Sequence, residues 1–235
     1  MSGPMHSAPT EKEPWLLHMV GWSLDSDPSA ELKVLRDGAL RSAADRNQRA
    51  LDKIGRAPAE DDSVSLSTKR AIFMRLGTPR DVANLWHGVV LALDAQALLQ
   101  YKFQLNVGWG AKRGAQGCAQ FDGREMTDSA LFAALGSLNR ARNLEFQLNR
   151  APAKEGLRAP LFEVSNEIMV FRSVSLRPYL RAVFVPVESA AAAIRTSRSQ
   201  AGICRARVQK VRDIVEQLYP DARVVEYSPR VVDRA

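Results

Sequence analysis

The stretch Val64–Ala83, VSLSTKRAIFMRLGTPRDVA, decides how the rest of the chain is read. Val64-Ser65-Leu66-Ser67-Thr68 alternates apolar and polar residues with period two, which predicts a half-exposed strand. Helical residues are expected to follow through Leu76, with Gly77 as a left-handed terminator. Thr78 then caps a second helix whose first residue is Pro79 and which runs to about Lys102. Val82, Leu85, Trp86, Val89 and Leu93 give that helix one wide apolar face, with Trp86 read as core.

Strand, helix, helix is the order of a ribbon-helix-helix module, in which two protomers pair their strands into a ribbon that enters the major groove. The pleat sends Val64 and Leu66 onto the helices and turns Ser65, Ser67 and Lys69 outward as base-reading side chains. Thr78, Arg80 and the free amides at the start of the second helix are placed to hold phosphate. A single strand is not stable alone, so this reading requires a homodimer. The other reading of the same residues is a solvent-facing edge strand in a monomer.

Charge agrees with a polyanionic partner. Residues 1–62 hold 8 Lys+Arg against 11 Asp+Glu, while residues 63–235 hold 25 against 15. The body is therefore basic, net +10, behind an acidic leader, and neutralising phosphates would release counterions. On the last helix Arg198, Arg205 and Arg212 fall seven apart and form a stripe suited either to a phosphate backbone or to solvent. Cys118 and Cys204 stand far apart without a paired-cysteine motif, and no apolar run approaches a membrane span, so a cytoplasmic chain is expected.

Residues 1–29 read as a mobile leader whose apolar patch, Trp15 to Trp22, docks on the body. Ala30–Ile54 reads as a helix, and Gly55 to Asp62 as a linker. The glycine-rich segment 106–124 is a loop or irregular hairpin, and Thr127–Asn149 is a helix capped by Thr127. Residues 161–185 read as two or three strands broken at Pro178, and Glu188–Tyr219 as a helix bent near Gly202 and ended by Pro220. The expected class is α+β, mainly helical, with a ribbon-helix-helix-like element at 64–102 and a small antiparallel strand group in the C-terminal half. A leader, helix and linker (1–62) precede a single basic domain (63–235).

Motifs for catalysis are missing. His6, His18 and His87 are scattered, and there is no HExxH, GxSxG or phosphate loop. Gly108, Gly110 and Gly114 have the wrong spacing for a dinucleotide loop. No enzyme, cofactor, metal or small-molecule substrate is expected.

Gly38-Ala39-Leu40-Arg41-Ser42 and then VSLSTKRAIFMRLG at 64–77 resemble the opening of AcaB-type regulators of integrating conjugative elements and conjugative plasmids. Residues 160–219, with Pro178-Tyr179-Leu180 and Val211-Arg212, resemble that family's C-terminal part. The resemblance implies a DNA-binding transcriptional regulator of transfer genes. Together these readings give a homodimeric regulator that binds duplex DNA. The alternative is a non-enzymatic interaction component of a conjugation or mobile-element assembly.

Overall fold

Five consecutive apolar residues, Val89–Leu93, form a strand whose every side chain is buried. Such a run suits a strand covered on both faces, and periodicity alone does not separate it from a buried helix. The computed structural model describes residues 15–20, 29–42, 71–78, 81–82, 88–106, 118–136, 167–171, 173–187 and 198–228. Within them lie strands β1 (Trp15–Val20), β2 (Ala39–Leu40), β3 (Ile72–Gly77), β4 (Val89–Leu93) and β5 (Lys102–Asn106). Further on come β6 (Cys118–Asp122), β7 (Glu167–Val170), β8 (Val174–Ser175), β9 (Leu180–Pro186) and β10 (Arg223–Tyr227). Among the described residues the helices are α1 (Ser29–Asp37), α2 (residues 128–136) and α3 (Arg198–Leu218), and residues 81–82 are helical too.

Eight strands form one sheet in the order β10-β9-β4-β1-β3-β7-β5-β6, and β2 pairs with β8. β10 runs parallel to β9, and the other described pairings are antiparallel. One face of the sheet carries the main core, where Leu16, Met74, Leu91, Ile168 and Val183 meet Leu35 of α1, Leu131 of α2 and Val211 of α3. Each such fully buried side chain contributes roughly 1.5–3 kcal/mol relative to exposure. The opposite face is apolar over β10, β9, β4 and β1, where Trp15, Leu17, Ala92 and Phe184 cluster. The Tyr219 hydroxyl at the end of α3 donates to the Leu35 carbonyl of α1 at 2.5 Å, and burial raises its pKa above the usual tyrosine range.

The expected ribbon-helix-helix element is overturned. Residues placed in its first helix form β3, in the interior of the sheet; of those placed in its second, residues 81–82 are helical, and from Val89 on they form β4, a 3-10 turn (Ala95–Gln100) and the start of β5. Of the apolar face drawn at helical spacing, Leu85 and Trp86 lie outside the described residues, while Val89 and Leu93 belong to the continuous apolar run Val89–Leu93, whose conformation β partners on both sides decide. The fold is sheet-rich rather than mainly helical. Val64–Arg70 lies outside the described residues, so the opening strand has no structural account.

Gly77 sits within β3 opposite Trp15, and a Cβ there would lie 2.5 Å from Leu17 Cδ1. Its lack of a side chain makes room rather than ending a helix. Gly38 instead takes the left-handed conformation, φ 69°, and stops α1 at Asp37, well short of the expected Ile54. The apolar patch Trp15–Val20 is an interior strand, between β4 and β3. The strands expected within 161–185 are β7, β8 and β9, parted by a turn at Pro178. α3 passes unbroken through Gly202 and stops before Pro220. Thr127 does cap a helix, its hydroxyl accepting from the Ala130 amide at 3.2 Å. Among the described residues no helix is long and apolar enough to cross a membrane.

Gly123 packs against backbone: a Cβ there would overlap the Leu98 carbonyl oxygen. Its neighbour cannot give way as the tip of Leu17 can. Gly123→Ala should therefore cost about 3 kcal/mol or more in urea unfolding, and Gly77→Ala about 1–2 kcal/mol. Equal costs, or a neutral Gly123→Ala, would contradict this packing.

Candidate active site

β1 pairs with β3 through Trp15↔Gly77, Leu16↔Leu76 and Leu17↔Arg75. There the pairing ends, although β1 continues to Val20 and β3 begins at Ile72. β1 stays with β4 to the end, through Val20↔Val89, while β3 stays with β7 through Ile72↔Val170. The sheet therefore forks between two half-sheets: β10-β9-β4-β1 on one side and β3-β7-β5-β6 on the other.

His18 is the first residue of β1 past the last pair. Its Nδ1 lies 2.7 Å from the Phe73 carbonyl oxygen of β3. A carbonyl only accepts, so Nδ1 carries the proton, and in the neutral ring Nε2 is then an acceptor. The bond spans the fork and fixes the ring's orientation.

The second half-sheet differs from the first on its outer face. Along β3, Ile72, Met74 and Leu76 enter the core, and alternation turns Phe73 and Arg75 to the other side. The pairs Phe73↔Met169, Gln104↔Met169 and Gln104↔Gln120 form one row across four strands. In that row Gln120 Nε2 donates to Oε1 of the buried Gln104 at 3.4 Å. Glu167 stands on the same face of β7, two residues before Met169, with Asn106 of β5 as its backbone partner. The register carried one step beyond Met74↔Ile168 sets Glu167 beside Arg75. The Glu167 residue is half-buried and its Oε1 is withdrawn from solvent. A carboxylate oxygen in reduced dielectric acts more strongly on any cation brought to it than one in water.

Other polar groups serve the frame. Arg181 donates to Asp94 Oδ2 at 2.8 Å, while Asp94 Oδ1 accepts the Gln96 amide and starts the 3-10 turn. The Arg124 guanidinium beside Asp122 holds that half-buried carboxyl at about 2, below the usual carboxylate range. Tyr227 donates to the Gly88 carbonyl at 2.5 Å, and burial pushes its pKa up.

Of the residues expected to contact DNA, Ser65, Ser67, Lys69 and Arg80 lie outside the described residues. Thr78 stands just before the helical residues 81–82, and its amide and hydroxyl both donate to Asp81 Oδ2, at 2.6 and 3.1 Å, as a helix cap does. Arg198 and Arg205 lie on α3. Arg212, on the same helix, pairs with Glu226 of β10 at 3.0 Å. His18 and Glu167 were not singled out by sequence. Their signals were a histidine inside the apolar run WLLHMV and an acid heading EIMV.

No protein-family model and no curated protein match the chain. Solved structures do. Thermus sp. 2.9 DarT in complex with NAD+ is 14% identical, with TM-score 0.45, covering 95% of this chain and 98% of that one. Thermus sp. 2.9 DarT in complex with ADP-ribosylated ssDNA is 16% identical, with TM-score 0.44, covering 96% and 98%. Thermosipho africanus DarTG in complex with ADP-ribose is 10% identical, with TM-score 0.40. This chain spans about half of that chain's length, the match covering 49% of it.

These findings correct the earlier expectations. The matching structures are DarT chains and not AcaB-type regulators, so that resemblance is set aside, together with its ribbon-helix-helix regulator. The expectations of a non-enzymatic chain, of either kind, and of no small-molecule substrate also give way. The matched chains hold NAD+, carba-NAD+ or ADP-ribose, and the DNA that one of them holds is single-stranded rather than duplex.

The His18–Phe73 bond lies near solvent, where water can replace it. His18→Ala should lower the unfolding free energy by about 1 kcal/mol or less, read in urea. A loss several times larger would make His18 a core residue instead of an orienting one.

Proposed function

We propose that the chain is an enzyme that breaks the bond between ribose and the pyridinium ring of a nicotinamide dinucleotide and transfers the ADP-ribosyl unit to a nucleic-acid acceptor. The observation that carries this reading is Glu167, a carboxylate with one oxygen withdrawn from solvent, on the polar face beside the fork. Glycosyl transfer passes through an oxocarbenium-like state, and a fixed carboxylate stabilises it. Ordinary glycosidases need a second carboxyl group, as acid, because their leaving oxygen must be protonated. A pyridinium leaving group needs none: the C1′–N bond breaks, its electron pair stays on nitrogen, and neutral nicotinamide departs. The acceptor nucleophile forms the new bond to C1′, and its proton passes to Glu167 or to water.

His18 supports this by position. Its ring, held by the bond to the Phe73 carbonyl, stands at the fork. The net charge of +7 suits a nucleic-acid acceptor, held by its phosphates. NAD+ and a single-stranded oligonucleotide are the probes to use first, since neighbours in the comparison hold NAD+ and ADP-ribosylated ssDNA.

Glu167→Gln keeps the shape and removes the charge. Nicotinamide release from NAD+ should fall by about 10²-fold or more, while NAD+ affinity by calorimetry stays within a few-fold of wild type. Wild-type protein that releases no nicotinamide, or a Gln variant as fast as wild type, would overturn the proposal.

A further inference from the structure

The geometry points to Phe73 as the residue that makes the acceptor site select an unpaired strand, its ring stacking on one base. This rests on the nucleic-acid acceptor proposed above. Phe73 is 37% exposed and, with Phe132, is one of two exposed large apolar residues among those described; it alone of the two lies on an interior strand. Its outward side is fixed by register, since Ile72 and Met74 on either side are buried in the core. Its backbone is held too, through the His18 bond to its carbonyl and the Met169 pairing. An exposed aromatic ring on a rigid strand loses little freedom on stacking, and any base presents a face to it.

Location assigns the partner. Phe73 and Glu167 are diagonal neighbours across β3 and β7, a separation of about 7–8 Å in antiparallel sheets and within reach of an aromatic side chain. A base on Phe73 would therefore set its own nucleotide beside the carboxylate. The donor sugar must be shielded from water while its cation forms, whereas an acceptor must arrive from solvent. The exposed ring suits the second requirement. Bases in a duplex already have both faces stacked, so this platform accepts only an unpaired one. The basic body, +10 over residues 63–235, supplies complementary charge for the strand's phosphates.

The test measures binding without NAD+, so it stands apart from the turnover experiment above. The probes are a labelled 12-nucleotide single strand and its duplex, read by fluorescence anisotropy at several salt concentrations. Phe73→Ala should weaken single-strand binding roughly ten-fold, the scale of one lost base–aromatic stack, and leave duplex binding as it was. The salt slope should not change, because no charge is removed. Phe73→Trp should restore the affinity. Phe132→Ala is the control: Phe132 is 55% exposed, but on α2, whose Leu131 and Leu135 pack on the opposite, core face of the sheet. Single-strand binding unchanged in Phe73→Ala would overturn the inference, as would an equal loss for single strand and duplex, or a matching loss in Phe132→Ala. Stacking confirmed alongside a wild type inert toward NAD+ would uphold Phe73's role and reject the enzymatic reading.

Discussion

The architecture depends on one strand being shared unequally. β1 is held along five residue pairs by β4 and along only three by β3. Its first half therefore joins two half-sheets into one eight-stranded sheet, and its second half belongs to one of them alone. Had β1 and β3 paired to their ends, the backbone groups at the fork would have been satisfied by each other. Instead the Phe73 carbonyl takes its hydrogen from a side chain, His18. A titratable ring is held in place because the ladder stops.

The fork also divides two chemistries. On the β1 side both faces of the sheet are apolar, with Trp15, Leu17 and Phe184 covering the face away from the helices. On the β3 side the same face bears Arg75, Glu167, Gln104 and Gln120. The core face is alike on both sides, where α1 and α3 pack and Tyr219 ties one helix to the other. Stability is thus supplied mainly from one face, which frees part of the other for groups that a core would exclude. Burial gives the carboxylate of Glu167 its electrostatic reach.

Much of the C-terminal half was legible. Short apolar segments around Pro178 predicted strands, and α3 declared itself by Val208, Val211 and Val215 at helical spacing and by Pro220 beyond its end. The centre was not. Val89–Leu93 extends an apolar pattern that fits a helix as well as a strand, and only its partners β1 and β9 choose between them. β1 was hidden for a similar reason, since a six-residue apolar patch near an acidic, proline-rich start carries no mark of an interior strand. The site followed the same rule. His18 and Glu167 are separated by 149 positions, and nothing in their spacing brings them to one sheet. Strand order does, and strand order is a long-range property.

The two halves of the proposed reaction meet at one backbone. β3 receives the His18 bond through the carbonyl of Phe73 and presents the Phe73 ring on its outer face. The orientation of the fork and the position of the platform are therefore set by the same peptide. A carbonyl belongs to any residue, so the His18 bond does not depend on what side chain occupies position 73. The ring, by contrast, can vary without undoing the fork. In the proposed reaction, that separation would let a fixed donor site coexist with an adjustable acceptor surface, because the element that orients the first is main chain and the element that selects the second is side chain.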